Sequence, residues 1–167
     1  MPAETLPAET MAGETASDAL KLKDFLCFAV YATGHEFNRA YKPLLDPLGL
    51  TYPQYLVMTA LWETDDQTVS ELGETLSLES STLTPLLKRL EAQGRVRRTR
   101  DPRDERQVRV RLTDSGWALR KAGERIPRCI LEASGLSLDE LRNLQRQVMQ
   151  LRTALETYTP SKSETCG

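Results

Sequence analysis

Cys27 stands within the apolar run of residues 25–32, FLCFAVYA, with Tyr31 four residues and Tyr41 fourteen residues further on. Cysteine beside tyrosine can do redox chemistry. A thiolate attacks a peroxide oxygen and becomes a sulfenic acid. A tyrosine hydroxyl that donates a hydrogen bond to sulfur favours the thiolate over the thiol. On a helix Tyr31 shares the face of Cys27, one turn on. Tyr41 returns to within ~40° of that face at ~100° per residue, but lies ~21 Å along the axis. One straight helix cannot bring Tyr41 to Cys27, whereas two antiparallel copies can. The run is also apolar nearly all round, more than a helix covered on one side requires. Both features point to a two-fold homodimer in which Cys27 of one chain meets Tyr41 of the other. Phe25, Phe28 and Val30 would make the approach apolar and favour organic hydroperoxides over hydrogen peroxide. On these residues alone a plainer alternative stays open, in which an inert cysteine and satisfied tyrosines simply fill a core.

The elements that must position these groups are mostly helical. Residues 1–17 repeat PAET and read as a disordered tail, and residues 159–167, with Cys166, read as a second. A chain of 167 residues leaves room for one domain, residues 18–158, between them. The segment SDALKLKDFLCFAVYATGHEFNRAYKPLL keeps helical spacing and is punctuated by Pro43, Pro47 and Gly49. YPQYLVMTALWET starts with a first-turn proline and is apolar at 56, 57, 60 and 61. TVSELGETLSL is a short helix, and LESSTLTPLLKRLEAQG is another that Gly94 stops. The period then switches. RVRRTR and QVRVRLT alternate, with Val96, Val108, Val110 and Leu112 on one face, and DPRDER turns between them. Two closing helices follow. Pro127 should bend or break the first, and Ser137 with Glu140 makes a capping box for the second. The expected fold is mainly α with a small β-hairpin, a winged helix-turn-helix. Its DNA-binding part spans about 52–113, and its dimerisation helices span about 18–45 and 114–158.

Charge distribution supports that reading. Residues 86–111 hold ten Lys/Arg and four acids, a balance of +6 in a chain of net charge -2. A basic segment on an acidic body suits a polyanion. Ser80, Ser81, Thr82 and Thr84 place short hydroxyls at a helix N-terminus, where phosphates and base edges are met. Leu83, Leu86, Leu87 and Leu90 supply the buried side, while Lys88 and Arg89 suit phosphates. The crowded arginines of the hairpin repel one another unless a polyanion offsets them. Arg103 and Arg106 lie at the hairpin tip, where an arginine can enter an A·T-rich minor groove, and Asp101 orients Arg103 or the turn itself. Asp–Arg pairing on a solvated loop is compatible with either.

Other classes are disfavoured. Cysteines 27, 129 and 166 form no CxxC pair and His35 is the one histidine, so neither a metal site nor a cofactor is expected. No apolar run approaches membrane-span length and no signal-peptide core precedes the helices, so a cytoplasmic protein without membrane contact is expected.

The order of helices and hairpin, with DPRDER in the wing, resembles the MarR family of transcription regulators. LCFAVY, LTYPQYLVMTALWE and TLTPLLKRLE resemble its OhrR branch, which senses organic hydroperoxides, over about residues 18–158. The resemblance implies that Cys27 is the sensor, and that Tyr41 and Tyr52, fourteen and twenty-five residues on, hydrogen-bond it from the partner subunit. The branch contains one-cysteine members, which need an external thiol, and two-cysteine members, which close a disulfide with a cysteine near the end of the fifth helix. Cys129 lies in the corresponding region and takes the resolving role by that resemblance. Two positions depart from the pattern. KDF at 23–25 stands where members carry Asp-Asn-Gln, and Ser81 stands where glycine is usual in the recognition helix. The expected function is a dimeric repressor that binds a double-stranded DNA operator and is released by organic hydroperoxide as inducer. The alternatives are a repressor released by a non-reactive phenolic ligand and, less well matched because it leaves the wing arginines unexplained, a thiol peroxidase. An enzyme is not the expected reading.

Overall fold

The computed structural model describes residues 21–158, so both expected tails and Cys166 lie outside the described residues. Contacts divide the chain into two compact units, Met1–Arg39 and Ala40–Gly167. In the first, a 3-10 turn, Leu22–Asp24, leads through extended Phe25 into helix α1, Leu26–Leu45, whose residues from Ala40 on belong to the second. Among the described residues the helical spacing that runs from Leu22 becomes α-helix only from Leu26, which puts Cys27 in the first turn. Pro43 does not end α1 but sits inside its last turn.

The second unit contains the winged helix. Helix α2, Tyr52–Glu63, begins with a capping box. The Thr51 side chain accepts from the Gln54 N–H, and Gln54 Oε1 accepts from the Thr51 N–H at 2.9 Å. Pro53 fills the first turn, where its missing N–H costs nothing. The helix is buried on more sides than its sequence pattern suggests. Tyr55, Val57, Met58, Ala60, Leu61 and Trp62 are all in the core, while Leu56 is only half-buried. Helix α3, Val69–Leu76, has a second capping box, Thr68 with Glu71, and ends at Ser77 in the left-handed region, φ 53°. Helix α4, Ser80–Ala92, follows after three residues and stops before Gly94, φ 68°, a conformation that glycine adopts without a Cβ clash.

Strands β2, Val96–Arg100, and β3, Val108–Leu112, form the expected hairpin, with Val96 opposite Leu112 and Arg98 opposite Val110. The sheet is three-stranded rather than two-stranded. Gln67–Thr68, β1, pairs antiparallel with β3 through Gln67↔Val110, giving the order β1-β3-β2. The core joins α2, α3, α4 and the sheet through Leu61, Leu72, Leu83, Leu87, Leu90 and Val110, each fully buried. Truncating one such leucine to alanine typically costs about 2–5 kcal/mol.

The segment after the wing is broken more finely than one proline requires. It comprises α5, Asp114–Ala118, α6, Arg120–Gly123, and α7, Ile126–Ser134, with Pro127 in the first turn of α7. Helix α8, Leu138–Thr157, starts at the expected Ser137–Glu140 capping box. Among the described residues no helix is long and apolar enough to cross a membrane, and no cluster of metal-ligating side chains occurs.

Candidate nucleic-acid interface and thiol site

Helix α4 turns Leu83, Leu87 and Leu90 into the core and exposes Ser80, Ser81, Thr82, Lys88 and Arg89, with Thr84 half-buried. No side chain caps its N-terminus. The Thr82 and Leu83 N–H groups both bond the Glu79 carbonyl. The N–H groups of Ser80 and Ser81, like the other orphan donors of a helix start, thus have no partner among the described residues. This is the face and the polarity that an anionic backbone requires.

The wing is held by carboxylates. Asp101, buried at the base of the turn, accepts from the Arg103 N–H at 2.8 Å and from Arg109 Nη1 at 3.0 Å. It therefore shapes the turn and leaves the Arg103 guanidinium exposed, without a carboxylate partner among the described residues. Arg106, at the tip, folds back on Asp104 at 3.0 Å. Asp66, itself at φ 58°, takes Arg109 Nε at 2.7 Å on one oxygen and Arg111 Nη2 at 2.8 Å on the other, while its carbonyl accepts from Arg109 Nη2. Asp65 accepts from the Leu112 N–H at 2.8 Å, and Glu91 of α4 accepts from both the N–H and the Nε of Arg98, each at 2.9 Å. The Arg111 and Arg109 guanidiniums hold the Asp66 carboxyl down at about 2. The Arg98 N–H and guanidinium hold Glu91 below the usual carboxylate range, and the Arg103 N–H and then Arg109 do the same for Asp101.

These pairings correct the expectation that arginine repulsion in the hairpin demands a polyanion. Arg98, Arg106, Arg109 and Arg111 are neutralised within the chain. Among the described residues of the basic segment, Lys88, Arg89, Arg97, Arg100 and Arg103 are exposed and without a carboxylate partner. Asp65, Asp66 and Glu91 were not singled out in the sequence. The adjacent acids just after α2 were the available signal, but their partners lie more than forty residues away.

Tyr41 and Tyr52 are brought together. Their rings lie 4.4 Å apart between centroids, with Tyr55 6.0 Å from Tyr41. Burial, then the neighbouring Tyr52 and Tyr55, pushes the Tyr41 hydroxyl up to about 12. Burial likewise raises Tyr52 and Tyr55. Phenols held this way keep their protons at neutral pH and act as hydrogen-bond donors. Cys27 belongs to the first unit and is exposed in the first turn of α1, the end of a helix that favours negative charge. Cys129 is exposed on α7, and both thiols are free. Tyr31 packs edge-on against His35, centroids 4.5 Å apart, rather than being kept for sulfur alone.

Comparison with known proteins agrees with this architecture. A family profile described as transcriptional regulator SarA/Rot matches residues 39–121. The chain is 47% identical over 156 residues to the HTH-type transcriptional regulator TtmR of Methylorubrum extorquens, covering 93% of this chain and 80% of that one. It is 46% identical over 144 residues to the organic hydroperoxide resistance transcriptional regulator of Bacillus subtilis, covering 86% and 96%. Among solved structures, AbfR of Staphylococcus epidermidis matches at 38% identity with a TM-score of 0.69, covering 85% and 98%. AbfR has also been solved reduced and bound to DNA, with a TM-score of 0.69 at 37% identity, and in a disulfide-formed state, with a TM-score of 0.57 at 36% identity. With a winged helix whose basic face is turned outward and relatives of this identity and coverage, the chain belongs to the MarR-family winged-helix transcriptional regulators, in the branch of the organic hydroperoxide resistance regulator, and is a DNA-binding regulator rather than an enzyme.

Proposed function

We propose that the protein is a dimeric repressor that releases its operator when an organic hydroperoxide oxidises Cys27. The observation that carries this reading is the Tyr41–Tyr52 pair, two adjacent phenols, tilted 43° to each other, kept protonated and therefore able to donate to a thiolate. In the dimer they receive Cys27 of the partner subunit. The thiolate attacks one peroxide oxygen and the O–O bond breaks. The alcohol leaves with a proton, and the sulfur becomes a sulfenic acid. The thiolate of Cys129 in the subunit that carries the two tyrosines then attacks that sulfur, so the bond joins the two chains. An S–S bond forms and water leaves. The disulfide requires a Cα separation of ~4.4–6.8 Å, so helices that hold the two thiols further apart must move, and the wings move with them. Ser80, Ser81, Thr82, Thr84, Lys88 and Arg89 meet the major groove, and Arg103 the minor groove, with Arg106 beside it and Asp101 setting the turn. Dimerisation is supported by apolar side chains that the single chain leaves exposed, Leu26, Phe28 and Val30 on α1 and Leu144, Val148 and Met149 on α8.

The test is mass spectrometry of Cys27 after substoichiometric cumene hydroperoxide, with operator binding followed in parallel. Oxidation of Cys27 together with loss of binding is expected, and Cys27→Ser should bind and stay bound. Release of the Cys27→Ser variant by hydroperoxide would sink the sensor assignment. Release by a phenol without sulfur oxidation would favour the non-reactive ligand instead.

A further inference from the structure

Two aromatic donors of α2 bond two glycine carbonyls on the segment that leads from the wing to Cys129. Tyr55 Oη donates to the Gly123 carbonyl at 3.0 Å, and Trp62 Nε1 donates to the Gly116 carbonyl at 3.1 Å, both bonds buried. The donors are seven residues apart on α2 and the acceptors seven residues apart on the antiparallel segment, so the two bonds fix register as well as distance. Both glycines are required sterically. A Cβ at Gly123 would stand 2.6 Å from the Trp62 ring and 3.5 Å from that of Tyr55, and one at Gly116 would collide with the Arg95 carbonyl.

The Gly123 carbonyl has a specific reason to need an outside donor. In a continuous helix it would accept from the N–H of residue 127, and residue 127 is proline. A buried carbonyl left without a donor is costly. We infer that Tyr55 is a positioning residue: its hydroxyl replaces the N–H that Pro127 lacks and sets the direction in which the Cys129 helix leaves α2. Its ring also lies 6.0 Å from Tyr41 and 6.2 Å from Trp62. The same side chain thus touches both the phenol pair and the base of the helix that carries the resolving thiol. The consequence for Cys129 rests on the proposed redox reading, and the hydrogen bond itself does not.

Tyr55→Phe keeps the ring and removes the donor, while Pro127→Ala supplies an N–H at the position the carbonyl would otherwise use. Amide hydrogen exchange over residues 120–129 should speed up roughly five- to tenfold in Tyr55→Phe, the factor an ordinary lost hydrogen bond carries, and return to the parent rate in Tyr55→Phe/Pro127→Ala. Sulfenic acid formation at Cys27 should stay within about twofold, whereas the following disulfide step should slow by roughly the same five- to tenfold and be rescued by the same second substitution. Unchanged exchange in Tyr55→Phe, or no rescue by Pro127→Ala, overturns the positioning role. Exchange that responds and is rescued while the disulfide rate does not change overturns its link to Cys129. A parent protein that forms no Cys27–Cys129 disulfide refutes the resolving role of Cys129 instead, and the exchange data then decide the clamp alone.

Discussion

Replacing Asp66 with asparagine removes one charge and keeps the shape, so it isolates what the carboxylate does for the wing. In the parent that carboxylate takes Arg109 at 2.7 Å and Arg111 at 2.8 Å, and its carboxyl is held at about 2 against an ordinary 3.8. A displacement of that size is worth about 2.4 kcal/mol when each pKa unit counts ~1.4 kcal/mol. The side chain is 36% exposed, so solvent screening reduces the contribution to about 1 kcal/mol. The folded carboxyl lies below its unfolded value. Its stabilisation is therefore complete above the unfolded value and fades as pH falls from about 5 towards 2. Asp66→Asn should lower the thermal midpoint by ~2–4 °C near neutral pH. The gap between variant and parent should close in acid, where the parent loses the same charge. Calorimetry of both proteins across that range is the measurement. Equal midpoints at neutral pH, or a gap that persists undiminished in acid, would refute the claim that Asp66 holds the hairpin electrostatically.

Operator binding should weaken steeply with salt. The five exposed cations of the basic segment without a carboxylate partner among the described residues, Lys88, Arg89, Arg97, Arg100 and Arg103, give a dimer ten, so log K against log salt should fall with a slope of roughly -5 and at most about -9. Arg103→Ala should flatten that slope by about 2, one phosphate-equivalent per protomer, and a nearly flat plot for the parent would count against DNA recognition by this face. Tyr41→Phe should leave reduced DNA affinity intact and slow the reaction of Cys27 with hydroperoxide by about tenfold, the worth of one donor to a charged acceptor; an unchanged rate would leave Tyr41 a packing residue. In a Cys166→Ser background, oxidation should yield a covalent dimer on a non-reducing gel that thiol reverses, and Cys129→Ser should abolish it; without that band in the presence of Cys129, the sensor relies on an external thiol.

The parts of this protein legible in the sequence are those written locally. Gly94 after α4, the Ser137–Glu140 box and the alternation of Val108, Val110 and Leu112 each act within a few residues, and each takes its expected place. What escaped depends on distant partners. β1 is only two residues long and exists because β3 lies beside it, more than forty residues on. Arg98, Arg109 and Arg111 turned out to be structural, because Glu91 and Asp66 reach them through the fold. The phenol pair was legible only by resemblance, since spacing alone led from Cys27 to Tyr31 and Tyr41 and gave no reason to select Tyr52. Its rings meet because α1 and α2 are joined by a tight connection through Gly49, φ 66°.

Glu91 ties the wing to the recognition helix. One carboxylate of α4 grips both the backbone and the guanidinium of Arg98 in β2, while Asp65 and Asp66 tie β3 to the end of α2. Helix and hairpin therefore move as one caliper of fixed opening. On the proposed reading, the distance between the base pairs met by α4 and the minor groove met by Arg103 is built into each chain. Adaptation to a different operator is then confined to two routes: changing the side chains at the caliper's tips, or changing the separation between two calipers. Operators with an altered centre should be tolerated wherever the dimer can flex. Operators that shift one groove contact relative to the other within a half-site should be rejected, whatever their base composition.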